Sequence, residues 1–159
     1  MAADPVYSES KDTSEGNTVE SLSDWDQKIV NELKILAEDV EPVKHAKLAA
    51  AIAIRGNIIA FGNNSLRTHP WQARFGKNEF AAYWHAETHA IFNSLKRISV
   101  NEIERATLYV VRVKRPDEHS RLWKLGMARP CRGCRKCIHD FGIPRVIYST
   151  ETGFVCESE

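Results

Sequence analysis

The chain has 159 residues, of which 43% are hydrophobic and 27% charged, and its formal net charge is +1. These values predict one soluble domain with a hydrophobic core. The longest apolar run, Leu48 to Ile54, is too short to span a bilayer, and the N-terminus lacks the basic start and apolar stretch of a secretory signal. We therefore expect a cytoplasmic protein whose four cysteines stay reduced, which favours metal binding over disulfides.

The small net charge hides an asymmetry along the chain. Residues 1–41 contain 11 acidic and 3 basic residues, which leaves 10 acidic and 19 basic residues in the remainder. Residues 1–22 are rich in Ser, Glu, Asp and Thr with few apolar anchors, and we predict that they form a disordered acidic tail. The domain would then occupy residues 23–159 and would be basic.

The first predicted element of the domain is a helix. Ser23 and Asp24 can cap it, and Pro42 ends it. Apolar residues recur along it at helical spacing, namely Trp25, Ile29, Leu33, Leu36 and Val40. Two apolar strands follow, residues 46–54 and 57–61, joined by a tight turn in which Gly56 and Asn57 can adopt positive φ. Residues 62–84 are predicted to be a long loop, because Gly, Asn and Pro interrupt any periodic pattern.

The rest of the chain alternates between helices and strands. The patterns predict helices over 85–98 and 132–141, the second ended by Gly142, and strands over 106–113, 143–148 and 154–157. The short link before the last strand favours an antiparallel return. We therefore predict an α/β fold, a three-layer sandwich in which three helices flank a mixed five-stranded sheet.

Two short motifs start the last two predicted helices. His85-Ala86-Glu87 and Pro130-Cys131-Arg132-Gly133-Cys134 supply one imidazole, two potential thiolates and a carboxylate. The spacing predicts a zinc site with His85, Cys131 and Cys134 as ligands and a fourth position open to water. Helix N-termini carry partial positive charge, which stabilises thiolates. Glu87 would accept a proton from the attacking water and deliver it to the substrate.

Two other kinds of metal site fit the spacing less well. His85 and His89 lie four residues apart, but the glutamate of the zinc peptidase motif His-Glu-x-x-His is displaced here. A structural zinc site formed by Cys131, Cys134, Cys137 and His139 is conceivable, but it leaves Glu87 unexplained. Cys137 is better interpreted as a buried thiol, Cys156 as a buried or inert one, and His89 either as a group behind the metal ligands or as a core histidine.

Basic residues surround the cysteine motif. They could hold a substrate phosphate or form an ordinary solvated face, and they comprise Arg112, Lys114, Arg115, Arg121, Lys124, Arg129, Arg132, Arg135 and Lys136.

From about Trp25 to Tyr148 the chain resembles the cytidine and deoxycytidylate deaminase family, zinc-dependent enzymes with a His-x-Glu and Pro-Cys-x-x-Cys signature. The matching segments are His85-Ala86-Glu87 with Ala90-Ile91, Pro130 to Ile138 with Gly142 to Tyr148, and Gly62-Asn63-Asn64. The resemblance implies that Asn64, Ala86 and Pro130 contact the substrate. The chain departs from the family pattern at His89, where asparagine is usual, and at Ser65 and Leu66, where glycine and proline are usual.

The resemblance implies a zinc-dependent hydrolase of nucleotide metabolism, a homo-oligomer, that converts cytosine to uracil. Deoxycytidine monophosphate is the favoured substrate, because the basic cluster suits a phosphate. Two alternatives stay open: a deaminase of a free nucleoside or of a base in RNA or DNA, including adenine, and a zinc-stabilised binding protein without turnover. The sequence has no recognisable RNA-binding motif, and it predicts no membrane partner.

Overall fold

The computed structural model describes residues 17–18, 22–42, 46–75, 83–117 and 119–158. The helices in these ranges are α1 (Asp24–Glu38), α2 (Pro70–Ala73), α3 (Ala86–Ser94), α4 (Val100–Ile103) and α5 (Arg132–Asp140). The strands are β1 (Asn17–Thr18), β2 (Lys47–Ile54), β3 (Asn57–Asn63), β4 (Ser65–Thr68), β5 (Tyr83–Trp84), β6 (Thr107–Lys114), β7 (Lys124–Gly126), β8 (Arg145–Ser149) and β9 (Phe154–Ser158).

A mixed sheet forms the middle layer, in the order β1-β9-β8-β6-β2-β3. Strands β6 and β8 are parallel, and every other neighbouring pair in this sheet is antiparallel. The five predicted strands and the antiparallel return of the last one are confirmed. Strand β7 was not predicted; it pairs with β6 at Arg112 to Lys114, beyond the point where β8 ends.

Among the helices of the described ranges, α1 is the one that covers the first face of the sheet. Ser23 caps it by accepting a hydrogen bond from the backbone N–H of Asp26 at 3.1 Å. Its buried residues Ile29 and Leu33 pack against alternate residues of the strands, among them Ala51, Tyr109 and Ile147. Ile29 and Leu33 of the predicted apolar stripe are therefore buried as expected. Trp25 and Leu36 remain exposed, and Val40 lies beyond the helix end at Glu38.

Helices α3, α4 and α5 cover the opposite face. Ala90, Ile91 and Ile138 pack there against the other alternate set of strand residues, including Ile52 and Val110. Because successive side chains of a strand point to opposite faces, β2 and β6 contribute to both cores. The three-layer sandwich is thus confirmed, with both motif helices on the same side of the sheet.

The hairpin between β2 and β3 differs in one detail from the prediction. The residues with positive φ are Arg55 (52°) and Gly56 (80°), whereas Asn57 already belongs to β3. Two consecutive positive φ values make the tight turn that matches the twist of paired strands. The indole of Trp25 packs on this turn, 2.8 Å from where a Cβ on Gly56 would lie.

The prediction of an uninterrupted loop over 62–84 is wrong. Its described part contains the end of β3, helix α2 and a second small sheet of β4 and β5. Aromatic contacts organise it: the ring of His69 stacks on Trp84 at 4.5 Å, and Trp71 stacks on Phe141 of the α5 end at 5.7 Å. These contacts join residues that are far apart in sequence, so no local period reveals them.

Two helix ends and the N-terminal stretch complete the comparison. Helix α3 ends at Ser94 rather than at residue 98, and α5 ends at Asp140, with Gly142 at a φ of 68° as predicted. Within the stretch predicted to be a disordered tail, Asn17–Thr18 pair with β9 at the edge of the sheet. The rest of that stretch up to residue 21 lies outside the described residues. Among the described helices none has the length and apolarity to cross a membrane.

Candidate metal centre and substrate cavity

The two motifs meet because two helices begin at the same place. His85 is the N-cap residue of α3 and Cys131 is the N-cap residue of α5, both with extended backbone. Neither side chain makes a capping hydrogen bond. Both side chains are therefore available to a ligand between the helix N-termini, where the partial positive charge of the helices favours thiolates.

The donor atoms of His85, Cys131 and Cys134 converge. His85 Nδ1 lies 3.5 Å from Cys131 Sγ and 3.4 Å from Cys134 Sγ, and all three ligand atoms lie within 4.8 Å of one another. Nitrogen and sulfur ligands at 2.0 to 2.3 Å around a tetrahedral zinc ion would be separated by about 3.6 Å. One imidazole and two sulfurs at this separation fit a zinc site with three protein ligands, and the predicted grouping is the one that the structure forms.

The protonation of these groups reflects their closeness. Hydrogen bonds from Cys134 and His85, against the opposing effect of burial, lower the pKa of Cys131 to about 3. The same contact with Cys131, together with burial, raises the pKa of Cys134 well above its ordinary value. The hydrogen bond with Cys131 raises the pKa of His85. Because zinc binds thiolate and neutral imidazole, metal binding would release protons from Cys134 and His85.

Glu87 lies in the first turn of α3 beside the metal ligands. It is 4% exposed, although it is an ionisable residue. Burial, reinforced by the negative charge of Cys131, raises the pKa of the Glu87 carboxyl. A raised carboxyl pKa near an electrophilic centre suits a group that must both take up and give back a proton.

A cavity of about 370 Å³ opens beside this centre. Its lining contains five of the predicted site residues, His85, Ala86, Glu87, Cys131 and Asn64. Its other lining residues are Ala46, Leu48, Tyr83, Trp84, Arg112, Met127, Ala128 and Arg129. A volume of this size is in the range of small-molecule sites. Pro130 is buried and lies outside this lining, between two residues that belong to it.

Asn64 is tied to strand β2 as well as facing the cavity. Its Oδ1 accepts a hydrogen bond from the Leu48 backbone N–H at 3.0 Å, and its Nδ2 donates to Ala46 O at 2.9 Å. A side-chain amide has two donor protons and two acceptor lone pairs. One of each therefore remains for a ligand, on a side chain that the strand already holds in place.

The competing metal site is not formed. Cys137 is fully buried in the core beneath the centre, and burial raises its pKa. The group of potential ligands found among the described residues contains His85 in place of Cys137 and His139. His89 behaves as a satisfied histidine of the packed interior: its Nδ1 accepts a hydrogen bond from the Asn63 N–H at 3.2 Å, its ring lies 4.8 Å from Trp84, and burial lowers its pKa.

The structure divides the predicted basic cluster. Arg112 and Arg129 line the cavity. Several of the others contact partners elsewhere: Lys114 with Glu151, Arg135 with Glu157 at 3.1 Å, Lys136 with Asp140 at 2.8 Å, and Arg115 with the ring of Trp123 at 4.7 Å. The sequence alone could not separate the two arginines, because a local charge run does not show which side chains face inward.

Two neighbours of the metal ligands were missed. The ring of Tyr83 stacks on the imidazole of His85 with centroids 5.5 Å apart. The amide oxygen of Gln72 accepts a hydrogen bond from the His85 backbone N–H at 3.0 Å. Both residues come from the stretch predicted to be a loop, and neither is part of a motif.

Comparison with known proteins agrees with this geometry. The family model for the cytidine and deoxycytidylate deaminase zinc-binding region matches residues 23–150. The chain belongs to this family. It is a zinc-dependent deaminase, a hydrolase acting on a C–N bond, and zinc is its cofactor. A search of curated protein sequences gave no significant match.

Solved structures share the fold of this deaminase at low sequence identity. The cytidine deaminase from Burkholderia pseudomallei is 18% identical, with 86% of this chain and 93% of that chain covered and a TM-score of 0.57. The dCMP deaminase from the cyanophage S-TIM5 in apo form is 20% identical, with 80% and 84% covered and a TM-score of 0.54.

Proposed function

We propose that this deaminase converts cytosine to uracil on deoxycytidine monophosphate, with zinc held by His85, Cys131 and Cys134. The observation that carries the proposal is a cavity whose lining includes the metal ligands His85 and Cys131 and the carboxylate of Glu87, together with Arg112 and Arg129. This arrangement offers a place for the reacting base and two cations for a phosphate on the same molecule.

The residues have separate roles in the proposed reaction. A zinc ion with three protein ligands activates water for attack on an electrophilic carbon. Glu87 accepts a proton from the attacking water and donates it to the ring nitrogen N3. It then takes the proton of the hydroxyl group added at C4 and delivers it to the amine, which leaves as ammonia while the C4 carbonyl forms. The buried position of Glu87 keeps the carboxyl apart from bulk water and raises its pKa, which favours uptake of the proton from the attacking water.

Substrate contacts follow from groups that still have capacity to hydrogen-bond. Asn64 offers its second amide proton and lone pair, and Ala86 offers the backbone N–H of the first residue of α3, which has no acceptor within the helix. Pro130 lies just outside the cavity lining, so it would affect substrate binding indirectly, by setting the backbone that leads into α5.

The phosphate would lie against Arg112 and Arg129. Arg112 Nε is buried and has no hydrogen-bond partner among the described residues. Arg129 Nη2 lies 3.9 Å from Glu157, which orients a guanidinium that is 30% exposed. Arginine suits this role because its planar group donates two parallel hydrogen bonds to a phosphate.

The test is ammonia release by zinc-loaded protein with deoxycytidine monophosphate, deoxycytidine, cytidine, their triphosphates, adenosine and short single-stranded RNA and DNA. Preference for deoxycytidine monophosphate supports the proposal, and equal or faster turnover of deoxycytidine refutes the phosphate assignment. Glu87→Gln should retain zinc and lose turnover by 100-fold or more, of the order expected for a proton-transfer group. Retained turnover in Glu87→Gln would refute its role.

The arginine assignment has a matched control in the same charge run. Arg129→Gln should raise KM for deoxycytidine monophosphate about tenfold or more, corresponding to the loss of a charge-assisted hydrogen bond, while leaving KM for deoxycytidine unchanged. Arg115→Gln, on a residue that contacts Trp123 instead, should change neither value. We also propose that the protein is a homo-oligomer, which sedimentation equilibrium would check.

A further inference from the structure

Gln72 stands out as a buried polar residue that the reaction described above does not use. It is fully buried, with 0% of its surface exposed, in the short helix α2. Its Oε1 accepts hydrogen bonds from the backbone N–H of His85, at 3.0 Å, and from the hydroxyl of Thr88. The backbone N–H can only donate, so the oxygen of the amide, and not its nitrogen, faces α3.

These two contacts fall at the positions where a helix is usually capped. His85 is the N-cap residue of α3 and Thr88 is its third residue. In a capping box the side chain of the third residue accepts from the N-cap N–H. Threonine at that position does not do so here, and the imidazole of His85 faces the sulfurs of Cys131 and Cys134. The amide oxygen of Gln72, supplied from 13 residues earlier in the chain, takes the place of that acceptor.

The helix that carries Gln72 is anchored by aromatic contacts of the neighbouring residue. The residue before it, Trp71, packs against Phe75, Phe92 and Phe141, with ring centroids 5.1, 5.4 and 5.7 Å away. These contacts connect α2 to α3 and to the end of α5, the two helices whose N-terminal residues supply the metal ligands.

We propose that Gln72 is a positioning residue of the zinc centre, which fixes the backbone of the metal ligand His85 and so sets the position of its imidazole relative to Cys131 and Cys134. The inference rests on the assignment of His85 as a zinc ligand. Groups that orient metal ligands typically contribute 10- to 100-fold to metal affinity.

The experiment measures zinc rather than turnover. Gln72→Met keeps the length of the side chain and removes the acceptor, whereas Gln72→Glu keeps an acceptor oxygen. Gln27→Met makes the same replacement at an exposed glutamine of α1 that hydrogen-bonds Asn31. Zinc release to a chromogenic chelator is followed for each variant, and the visible absorption of the cobalt-substituted protein reports the ligand geometry.

We expect Gln72→Met to release zinc about tenfold faster than wild type or more and to alter the cobalt spectrum, while Gln72→Glu and Gln27→Met stay close to wild type. Zinc release from Gln72→Met at the wild-type rate with an unchanged spectrum would overturn the proposal. If Gln72→Met does not fold, Gln72→Glu decides: wild-type release supports the proposal and accelerated release overturns it. A wild-type protein that binds no zinc would instead overturn the assignment of the metal ligands.

Discussion

Replacement of Gly62 by alanine tests how closely the sheet approaches the helix that carries the reacting groups. Gly62 lies on β3, and a Cβ added there would lie 2.3 Å from Ala90 N, 2.7 Å from Ala86 O and 2.8 Å from Ala90 Cα. All three are backbone atoms of α3, so no side chain can rotate to make room. The φ of Gly62 is not positive. The glycine is therefore required by the close approach and not by its conformation.

The size of the effect follows from the shortest contact. Ordinary van der Waals contact begins at 3.4 Å, so relief of the 2.3 Å contact requires a displacement of about 1 Å between β3 and α3. Overpacking of this kind costs about 1–3 kcal/mol of unfolding free energy. Because His85 and Glu87 are at the start of α3, the same displacement moves them relative to Cys131. A misplacement of about 1 Å at a reacting centre lowers the rate by roughly 100-fold.

The assay combines urea unfolding, zinc content and kcat on the preferred substrate of the panel. Gly62→Ala should lose about 1–3 kcal/mol and most of its kcat. Gly153→Ala is the matched control, because a Cβ there has no atom within 4 Å and its φ is not positive. A Gly62→Ala protein as stable and active as Gly153→Ala would refute the close packing of β3 on α3.

Two further changes test an ion pair on the opposite face of the sheet and the choice of metal ligands. Asp26→Asn should lower the unfolding free energy by about 2–3 kcal/mol at pH 7, because Asp26 is buried and paired in two contacts with Arg145, at 2.8 and 3.1 Å. Although burial opposes it, hydrogen bonding to Arg145 and Tyr109 lowers the pKa of Asp26. The stabilisation by Asp26 is thus complete above the ordinary carboxyl pKa of about 3.9 and is lost as pH falls through the lowered pKa. Urea unfolding should therefore show that the difference in unfolding free energy between wild type and Asp26→Asn shrinks below about pH 4. A difference that stays constant with pH would contradict this. Cys137→Ala should keep one zinc per chain by metal analysis whereas Cys134→Ala loses it, and equal loss in both would make Cys137 a ligand.

The elements that were predicted correctly are those in which the spacing of apolar residues along the chain matches the face that is buried. The apolar residues of α1 repeat every three or four positions toward one core, and the middle residues of β2 and β6 are mainly apolar because helices cover both faces of these strands. The metal centre was predictable for a different reason. His85, Glu87, Cys131 and Cys134 lie in short motifs whose chemistry needs those residue types at that spacing.

The parts that could not be predicted depend on contacts between distant segments. Helix α2 and strands β4 and β5 are held by aromatic rings such as His69 on Trp84, and their own sequence shows turn residues without a period. The cavity wall is similar: Arg112 reaches it from β6 and Arg129 from the segment before α5, although both belong to one long basic run. Only the sheet topology decides which members of that run meet the metal centre.

The helix caps show how the requirements of the site override local preference. Ser23 caps α1, and Ser99 caps α4 in a complete capping box, as helix propensities would predict. The two helices that begin at the metal centre instead have His85 and Cys131 at the N-cap, without a side-chain cap. A missing cap costs about 1 kcal/mol, so these helices start less stably than their sequence could allow. Sequences depart from helix-capping preferences mainly at functional sites. A histidine or cysteine at a predicted N-cap position is therefore itself an indication of a metal site. In α3 the backbone N–H at the N-cap is instead bonded by the amide oxygen of Gln72, which comes from a distant part of the chain. A poor N-cap residue in the sequence can therefore indicate the metal ligands, but it cannot indicate Gln72.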